Sequence, residues 1–508
     1  MRKTLTLITV ALLLSGWSAT AAIPQTRAQE AIAKLGTKEP LKSSVWGVFA
    51  VNMKGDTLVN INCRQKMVPA SNVKLLTTGL ALRQLGPDFR FETRLGYAGV
   101  VKDSTLVGDL YIIGGGDPTT GSLSEHSEKV NTTFAKWTSL IREAGISRID
   151  GRIIADPRYF DDPTPENLAW SYEDIGTYYG AGPRGLNFYE NAQHFYVTPG
   201  PSVGSKPVVR QRYPSTPWMN VSVAATTARA RTSNDLYYID SEFEPMGQIR
   251  GRFPIDRKGY TMECSNKFGP YTCAFYFYNY LMGAGLEVTQ GYGDIDGDGF
   301  IRTELSPLGR GASAARVRDL TVIGSSESPR LEDIVRDTNT ESDNFYAETL
   351  MHMLGKTLHH SAVYDSCRVA VEDLFKGMGL MSKNSCQMYD GSGLARKNYV
   401  SPIFFVSFLR IMARSSVYEP YFNSLPQPGG KGTLETILRN EDKALKGRVH
   451  AKTGSMNGVR CVSGYVVSSD DDPDKTIAFS LMMNNLSVSV SVVTPIVEDV
   501  LMALLAEN

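Results

Sequence analysis

Residues 67–87 read MVPASNVKLLTTGLALRQLGP, and this stretch predicts the helix around which the fold is organised. A Pro-Ala-Ser-Asn opening, a leucine-rich body and a Gly-Pro end are typical of one helix of about four turns. The helix is apolar on nearly every side, which indicates that it is buried. Ser71 and Lys74 are three positions apart and therefore lie on one face of its first turn. A serine and a lysine at this place in a buried helix require a chemical explanation.

Both ends of the chain carry strand patterns. Five strand-like runs lie there, at residues 45–53, 57–62, 449–454, 459–468 and 477–485. An Asn-Gly turn at Asn457 joins the third run to the fourth. Residues 493–505 have helical spacing. We therefore expect an α+β domain in which the two chain ends build one antiparallel five-stranded sheet, with a helix on each face.

The chain is too long for one ordinary domain. It has 508 residues, 42% of them hydrophobic, which is a normal fraction for a globular protein. Residues 195–285 are rich in Val, Thr, Tyr and Phe, which predicts mostly strands. We expect a large, mostly β inserted region at residues 96–305, between the two parts of the main domain at residues 23–95 and 306–508. The 53 basic and 53 acidic residues balance, which argues against a nucleic-acid partner.

The first 22 residues have the pattern of a secretory signal. Arg2 and Lys3 precede a largely apolar run at residues 5–14, and small residues follow at 18–22. A membrane span needs about 20 apolar residues, so an uncleaved anchor is the less favoured alternative. We expect a cleaved signal peptide at residues 1–22, an exported chain and no transmembrane segment after cleavage.

Export permits disulfide bonds among the six cysteines. The sequence favours a bond between Cys264 and Cys273, because they are close together and Cys273 opens an aromatic, strand-like run. Cys367 with Cys386 is a second candidate pair. Six buried thiols are the alternative, because spacing alone does not fix the connectivity.

Ser71 and Lys74 are a candidate nucleophile and base. A serine hydroxyl attacks a carbonyl carbon only when a base removes its proton, and a buried lysine with a lowered pKa can be that base. The alternative is a helix-capping serine beside a lysine that extends to solvent.

Two further motifs favour the chemical explanation. Ser342-Asp343-Asn344 precedes a helical segment, and Lys452-Thr453-Gly454 lies in the first strand of the C-terminal group. Ser-x-x-Lys, Ser-Asp-Asn and Lys-Thr-Gly are together the motif set of β-lactamases and penicillin-binding proteins. The three occur here in that order, each in the expected structural context.

Each motif residue has an expected task in this chemistry. Ser71 attacks the carbonyl and Lys74 takes its proton, while Ser342 relays a proton to the leaving group. Asn344 holds the substrate amide and Lys74. The motif strand binds substrate: Lys452 and Thr453 hold a carboxylate, Gly454 lets the substrate backbone come close, and the backbone N–H groups of Ser71 and Ser455 form the oxyanion hole.

On these motifs the sequence resembles the D-alanyl-D-alanine carboxypeptidase/endopeptidase family, the low-molecular-mass class C penicillin-binding proteins. Further matching segments extend across nearly all of the chain after residue 22, at residues 108–111, 114–119, 179–181, 342–348, 390–394, 424–426, 432–434, 452–455 and 464–465. One departure is residues 179–186, which carry one residue more than the family's Gly-Ala-Pro segment leads us to expect.

The resemblance implies a serine β-lactamase/DD-peptidase-like domain. It also implies a serine-type peptidase that cleaves D-Ala-D-Ala ends and cross-links of peptidoglycan through an acyl-enzyme. Peptidoglycan peptides and β-lactam antibiotics are then the expected partners, and the periplasm the expected location. The proposed chemistry needs neither a metal nor an organic cofactor. Whether the chain forms a homodimer is left open.

Rival interpretations have weaker support. A class A β-lactamase needs a glutamate for deacylation, and Glu419 lies too far past Ser342 to match that pattern. A zinc peptidase would use histidines, but His352 and His359 do not form a His-Glu-x-x-His motif. A non-catalytic wall-binding scaffold of the same fold would not need the full motif set.

Residues 294–299 copy the first half of a calcium-binding loop. Arg302 and Leu305 occupy the ninth and twelfth positions, where a ligand is needed. The sequence therefore favours an acidic turn over a calcium site.

Overall fold

The computed structural model describes residues 26–161, 166–296, 299–305, 320–470 and 472–508. The predicted signal peptide at residues 1–22 lies outside the described residues. No helix in the described part of the chain has the length and hydrophobicity that a membrane span requires.

The N-terminal part contains the expected hairpin and the buried helix. In chain order its elements are α1 (Arg27–Leu35), β1 (Val45–Asn52), β2 (Thr57–Ile61) and α2 (Val73–Leu85). A 3-10 turn at Ala70–Asn72 leads into α2, so the predicted helix is confirmed except that its first turn is tighter. Every α2 residue from Val73 to Leu82 is buried, and the helix ends at Gly86, whose φ is 87°.

In its described residues, the middle of the chain forms further sheets and three α-helices. Its elements are β3 (Glu92–Lys102), β4 (Thr105–Ile113), α3 (Val130–Glu143), β5 (Arg148–Asp150), β6 (Ile153–Asp156), α4 (Tyr172–Ile175), β7 (Ala192–Thr198), β8 (Val208–Arg212), β9 (Asn220–Val223), β10 (Thr226–Ala228), β11 (Tyr237–Asp240), β12 (Met246–Arg250), β13 (Arg252–Pro254), β14 (Tyr260–Ser265), α5 (Gly269–Gly283), β15 (Glu287–Val288), β16 (Tyr292–Ile295), β17 (Ile301–Arg302) and β18 (Thr321–Glu327).

One eight-stranded sheet organises this middle part. Six of its strands follow the order β15-β5-β4-β6-β16-β17, while β3 pairs with both β4 and β18. The helices α3 and α5 share one hydrophobic core with this sheet, around the fully buried Trp137. Three smaller sheets, β14-β7-β8, β11-β12-β9 and β10-β13, complete the middle part.

The prediction of mostly strands for residues 195–285 is wrong near its end, where α5 is a helix. Aromatic composition is typical of strands, and short apolar runs leave helix and strand ambiguous. Here Cys273, Phe277 and Leu281 recur at helical spacing and are buried against the sheet. Packing of that face decides the local structure.

The C-terminal part returns to the main domain. Its elements are α6 (Leu331–Thr340), α7 (Asn344–His359), α8 (Tyr364–Gly377), β19 (Cys386–Gln387), β20 (Tyr399–Val400), α9 (Pro402–Met412), α10 (Tyr418–Asn423), α11 (Lys443–Lys446), β21 (Val449–Met456), β22 (Val459–Val466), β23 (Ile477–Asn484) and α12 (Val490–Leu505).

The two chain ends build one sheet, as predicted. Five antiparallel strands follow the order β2-β1-β23-β22-β21, and β1 joins the ends of the chain, with Val45 opposite Asn484. On β22, Cys461 and Tyr465 face the core that contains α2 and α7, while Val462 and Val466 face α1 and α12. The α+β fold with helices on both faces is confirmed, and it leaves β21 at an edge of the sheet.

The domain boundaries at residues 95/96 and 305/306 remain a prediction. The eight-stranded sheet begins at Glu92 in β3, and β18 pairs antiparallel with β3 as far as Glu327. The middle sheet therefore extends somewhat beyond the predicted boundaries on both sides.

Both predicted disulfides are wrong. All six cysteines are buried thiols, and no disulfide joins any of them in the described residues. Cys264 belongs to the core of the small sheets and Cys273 to the core around α5, so the two side chains pack into different cores. Cys367 and Cys386 share the core of the main domain without a bond between them. Closeness in sequence does not fix the Cβ geometry that a disulfide needs.

Candidate active site

Ser71 and Lys74 lie side by side where α2 begins. The 3-10 turn at Ala70–Asn72 carries Ser71, and Nζ of Lys74 lies 3.0 Å from its Oγ. Lys74 has no solvent exposure, whereas Ser71 is partly exposed. The spacing of three residues therefore places a buried amine beside an accessible hydroxyl, as expected.

Two oxygen atoms from distant segments accept hydrogen bonds from the Lys74 amine. Nζ donates to Oδ1 of Asn344 at 2.6 Å and to the carbonyl oxygen of Ser392 at 2.8 Å. Burial lowers the pKa of Lys74 to about 8, although the carboxyl groups of Asp343, Glu348 and Asp390 oppose that shift. A neutral form of this lysine is therefore accessible near neutral pH.

Ser342 and Lys452 form a second pair. Nζ of Lys452 donates to Oγ of Ser342 at 2.8 Å and to the carbonyl oxygen of Thr453 at 2.8 Å.

Ser342 adopts a left-handed φ of 62° just before α7, and Asp343 caps that helix by accepting from the N–H of Tyr346. The pKa of Lys452 lies well below its ordinary value because of burial, with the charges of Lys74 and Arg460 adding to the effect.

The rest of the motif strand borders this pair. A Cβ atom on Gly454 would lie 2.5 Å from the carbonyl oxygen of Pro69 and 3.0 Å from the N atom of Asn72. Only glycine allows β21 to approach the nucleophile turn so closely. Thr453 is buried and Ser455 is exposed. The structure thus brings all eight predicted site residues together at one place.

The loop at residues 390–393 belongs to this site but had no predicted role. Its Ser392 carbonyl contacts Lys74, and a Cβ on Gly393, whose φ is 90°, would lie 2.0 Å from the carbonyl oxygen of Ala70. The buried carboxyl group of Glu348 accepts the N–H groups of Gly391 and Ser392 at 3.1 and 2.7 Å. The sequence indicated these residues only as a segment that matches the family. It gave Ser392 no role, because a contact made by a backbone carbonyl oxygen does not depend on the residue type.

Glu190 is a second residue that the sequence did not indicate. It sits in a left-handed turn in which Tyr189, Glu190 and Asn191 have φ values of 52°, 53° and 48°. Its buried carboxyl group hydrogen-bonds to Asp343 and accepts from Oγ of Ser122 at 2.5 Å. Burial and the neighbouring Asp343 raise the pKa of Glu190 to about 8. Burial also raises the pKa of Asp343, so both carboxyl groups favour their protonated forms.

Asn344 connects the site to the segment that departs from the family pattern. Its Nδ2 donates to the carbonyl oxygen of Tyr179 at 3.0 Å, so its Oδ1 faces Lys74. The added residue in 179–186 therefore leaves this backbone contact in place. Trp170, from the same part of the chain, donates to Asp390 at 2.9 Å.

The residues of the metal-binding alternatives have other partners. In the calcium-like loop, both carboxylate oxygens of Asp294 accept from Arg302, at 2.8 and 2.7 Å, and residues 297–298 lie outside the described residues.

On α7, Nδ1 of His352 contacts the carbonyl oxygen of Ala362, while His359 lies 3.2 Å from Asp373. The described residues contain no cluster of three or more candidate metal ligands.

Comparison with known proteins covers nearly the whole chain. The family model described as the D-Ala-D-Ala carboxypeptidase 3 (S13) family matches residues 28–292 and 310–503. A relative named D-alanyl-D-alanine carboxypeptidase, from Actinomadura sp. (strain R39), is 27% identical over 465 residues, 88% of this chain and 79% of the relative.

Solved structures share the fold. Penicillin binding protein 4 (dacB) from Haemophilus influenzae superposes with a TM-score of 0.77 at 21% identity, covering 93% of this chain and 98% of that one. The same protein complexed with a β-lactam superposes with a TM-score of 0.71 at 19% identity, over the same shares of the two chains.

Proposed function

Since this chain belongs to the D-Ala-D-Ala carboxypeptidase 3 (S13) family of serine peptidases, we propose that it cleaves D-Ala-D-Ala ends and cross-links of peptidoglycan stem peptides through an acyl-enzyme on Ser71. The observation that carries this proposal is the 3.0 Å contact between the accessible Ser71 hydroxyl and the buried Lys74 amine. A serine peptidase needs a base in contact with its serine hydroxyl to make the nucleophile, and Lys74 can be that base.

Acylation begins at this contact. A neutral Lys74 amine donates its two N–H groups to Asn344 and Ser392, which leaves its lone pair for the proton of Ser71. Oγ of Ser71 then attacks the carbonyl carbon of the D-Ala-D-Ala peptide bond. The backbone N–H groups of Ser71 and Ser455 are the proposed donors to the oxyanion.

The second pair completes the exchange. Ser342, held by Lys452 at 2.8 Å, passes a proton to the nitrogen of the departing D-Ala as the peptide bond breaks. Water next attacks the ester on Ser71 and regenerates the hydroxyl. The proton that Lys74 took from Ser71 restores the hydroxyl of Ser342. In deacylation the attacking water gives its hydroxyl to the acyl carbon and a proton to Ser71, so the proposed chemistry draws on no cofactor.

The edge strand β21 is the proposed place for the substrate backbone. It pairs with β22 on one side only, so its other edge can bind an extended peptide as an additional strand. Thr453 and Lys452 are the proposed carboxylate-binding groups, and Gly454 keeps the strand close to Ser71.

Penicillin binding follows from the same proposal, because a β-lactam presents a reactive amide and a carboxylate to the same groups. The β-lactam complex of the Haemophilus influenzae protein with this fold supports it. A class A β-lactamase deacylates quickly because a glutamate activates the attacking water. Glu419 does not fit that role, because it is exposed on α10 and is not a buried base. We expect a penicillin adduct that lasts far longer than seconds. The proposal also includes removal of a signal peptide at residues 1–22 and a periplasmic location.

Digestion of purified peptidoglycan tests the function directly. The products are separated and free D-Ala and cross-linked dimers are quantified with and without the protein. We expect D-Ala release together with loss of dimers. Release of D-Ala without loss of dimers would contradict the endopeptidase half, and no change in either product would contradict the whole proposal.

A further inference from the structure

The backbone at Ser342 is held in a conformation that residues other than glycine rarely adopt. Its φ of 62° is left-handed, and it lies between Glu341, which ends α6, and Asp343, which caps α7. The N–H group of Asp343 donates to the carbonyl oxygen of Thr338 at 3.1 Å. A conformation of this kind persists only where surrounding contacts hold it. The side chain of Asp343 provides the next such contact.

The turn at residues 189–191 faces Asp343 from the middle part of the chain. Its three residues are left-handed and none of them is glycine. Asn191 anchors the turn, because its Nδ2 donates to the carbonyl oxygen of Gly182 at 3.0 Å. The turn carries Glu190, whose side chain hydrogen-bonds to Asp343. Two strained backbone segments therefore meet through one pair of carboxyl groups.

A directional chain of hydrogen bonds leads to this pair. The hydroxyl group of Tyr346 donates to Oγ of Ser122 at 2.9 Å, and Ser122 donates to Oε1 of Glu190 at 2.5 Å. Two carboxyl groups can hydrogen-bond to each other only when one keeps its proton. Against the effect of burial, the N–H group of Tyr346 and the charge of Lys74 favour the ionised form of Asp343. Glu190 is therefore the member of the pair that holds its proton more strongly.

We propose that Glu190 is a positioning residue for Ser342. As a neutral acid it donates a hydrogen bond to Asp343, and this bond holds the left-handed Ser342 backbone where the hydroxyl group can protonate the departing nitrogen. The inference rests on the proposed function, in which Ser342 passes that proton. It also gives the middle part of the chain a direct role in the reaction, because Glu190 lies between α4 and β7.

The inference makes proton delivery by Ser342 dependent on pH. Burial and Asp343 raise the pKa of Glu190 to about 8. Ionised Glu190 would place two carboxylates in contact, and like charges repel, so the bond to Asp343 is lost as the pH rises through this value. The titratable groups that act on this pair are Asp343, Glu263, Tyr178, Tyr189 and Tyr346 for Glu190, and Lys74 for Asp343.

Two substrates separate proton delivery from the other steps. One is diacetyl-L-Lys-D-Ala-D-Ala, whose leaving nitrogen must be protonated. The other is its thiolester analogue, in which D-thiolactate replaces the last residue. A thiolate leaves without a proton, so the thiolester needs Ser71 and Lys74 but no proton from Ser342. The ratio of the two kcat/KM values, amide over thiolester, therefore cancels the pH dependence of Lys74.

Four proteins are compared: the wild type, Glu190→Gln, Glu190→Ala and the control Glu263→Gln. Glutamine cannot ionise, but its amide can donate to Asp343 and accept from Ser122. Glu263 is exposed on β14 and acts on Glu190 through its charge. The control thus removes a nearby carboxylate and leaves the hydrogen bond to Asp343 in place.

In the wild type we expect the ratio at pH 9 to be about tenfold below its value at pH 7, because about one Glu190 in ten then keeps its proton. Glu190→Gln should have the same ratio at both pH values. Glu190→Ala should lower the ratio about 10- to 100-fold at pH 7 while the thiolester keeps its rate. Glu263→Gln should have the wild-type ratio at pH 7.

Equal losses for both substrates in Glu190→Ala, or an unchanged ratio, would overturn the inference. A wild-type ratio that does not fall by pH 9, or an equal fall in Glu190→Gln, would also overturn it. Melting temperatures show which variants fold, and if Glu190→Ala does not, the ratio of Glu190→Gln at pH 9 decides. A wild type that releases no D-Ala at any pH would instead overturn the proposed function itself.

Discussion

Nζ of Lys74 donates a 2.6 Å hydrogen bond to Oδ1 of Asn344, a residue 270 positions later in the chain. This bond joins the start of α2 to the start of α7, across the whole middle part of the chain. Because Nδ2 of Asn344 is bound to the carbonyl oxygen of Tyr179, its Oδ1 must face the lysine. In the proposed mechanism, the amide thus fixes the direction in which the Lys74 amine accepts a proton from Ser71.

The pH dependence of acylation should follow Lys74. Burial lowers the pKa of this amine to about 8, and only its neutral form can take a proton. The kcat/KM for penicillin acylation should therefore rise with pH up to about 8, with a slope near tenfold per unit below that value. Stopped-flow acylation between pH 5.5 and 9 measures the profile. A rate that is already constant above pH 6 would contradict a base with this pKa.

Gly454→Ala should slow acylation without changing any charged group. The new Cβ would lie 2.5 Å from the carbonyl oxygen of Pro69, and backbone atoms cannot yield as a flexible side chain can. A displacement of about 1 Å between β21 and Ser71 costs roughly 100-fold in rate.

The matched control for this substitution is Gly447→Ala. Its Cβ would approach no atom closer than 3.3 Å, and Gly447 ends the nearby helix α11. We expect a lower melting temperature and slower acylation for Gly454→Ala only. Wild-type acylation by Gly454→Ala would show that the close approach is unnecessary.

Glu190→Gln should change how stability depends on pH. The pKa of Glu190 is raised to about 8 from an ordinary value near 4.5, so the folded protein keeps a proton that the unfolded chain releases. Wild-type stability must then fall as pH rises through this window, and glutamine removes that contribution. Melting temperatures at pH 5 and pH 8 should differ less in Glu190→Gln than in the wild type.

Exposed Glu143 on α3 provides the control for this comparison. Glu143→Gln should leave the difference between the two melting temperatures unchanged. An equal difference in Glu190→Gln and the wild type would argue that Glu190 is ionised in the folded protein at both pH values.

Local patterns were sufficient to predict the sheet and the positions of the site. The strands β1, β2 and β21 to β23 carry turn residues at their ends and apolar positions within, so their type could be predicted without a partner. The three motifs predict Ser71, Ser342 and Lys452 as site residues because each combines a reactive side chain with a recognisable spacing.

The contacts that tune this chemistry could not be predicted. Ser392 contacts Lys74 through a carbonyl oxygen, and Glu190 meets Asp343 only after distant segments fold together. The same limit explains the wrong disulfides, since Cys264 and Cys273 are close in sequence but pack into separate cores. The spacing of residues predicts only which side chains are neighbours within one helix or strand, whereas these contacts join different elements.

The most direct test of the nucleophile is the mass of the intact protein after treatment with benzylpenicillin. We expect the wild type to gain one penicillin and the exposed-serine control Ser487→Ala to do the same. Ser71→Ala should stay unmodified, because removal of a catalytic serine costs at least about 1,000-fold in rate. Its melting temperature should equal that of the wild type, which shows that the variant is folded. A stoichiometric adduct on Ser71→Ala would contradict the assignment of Ser71 as the acylated residue.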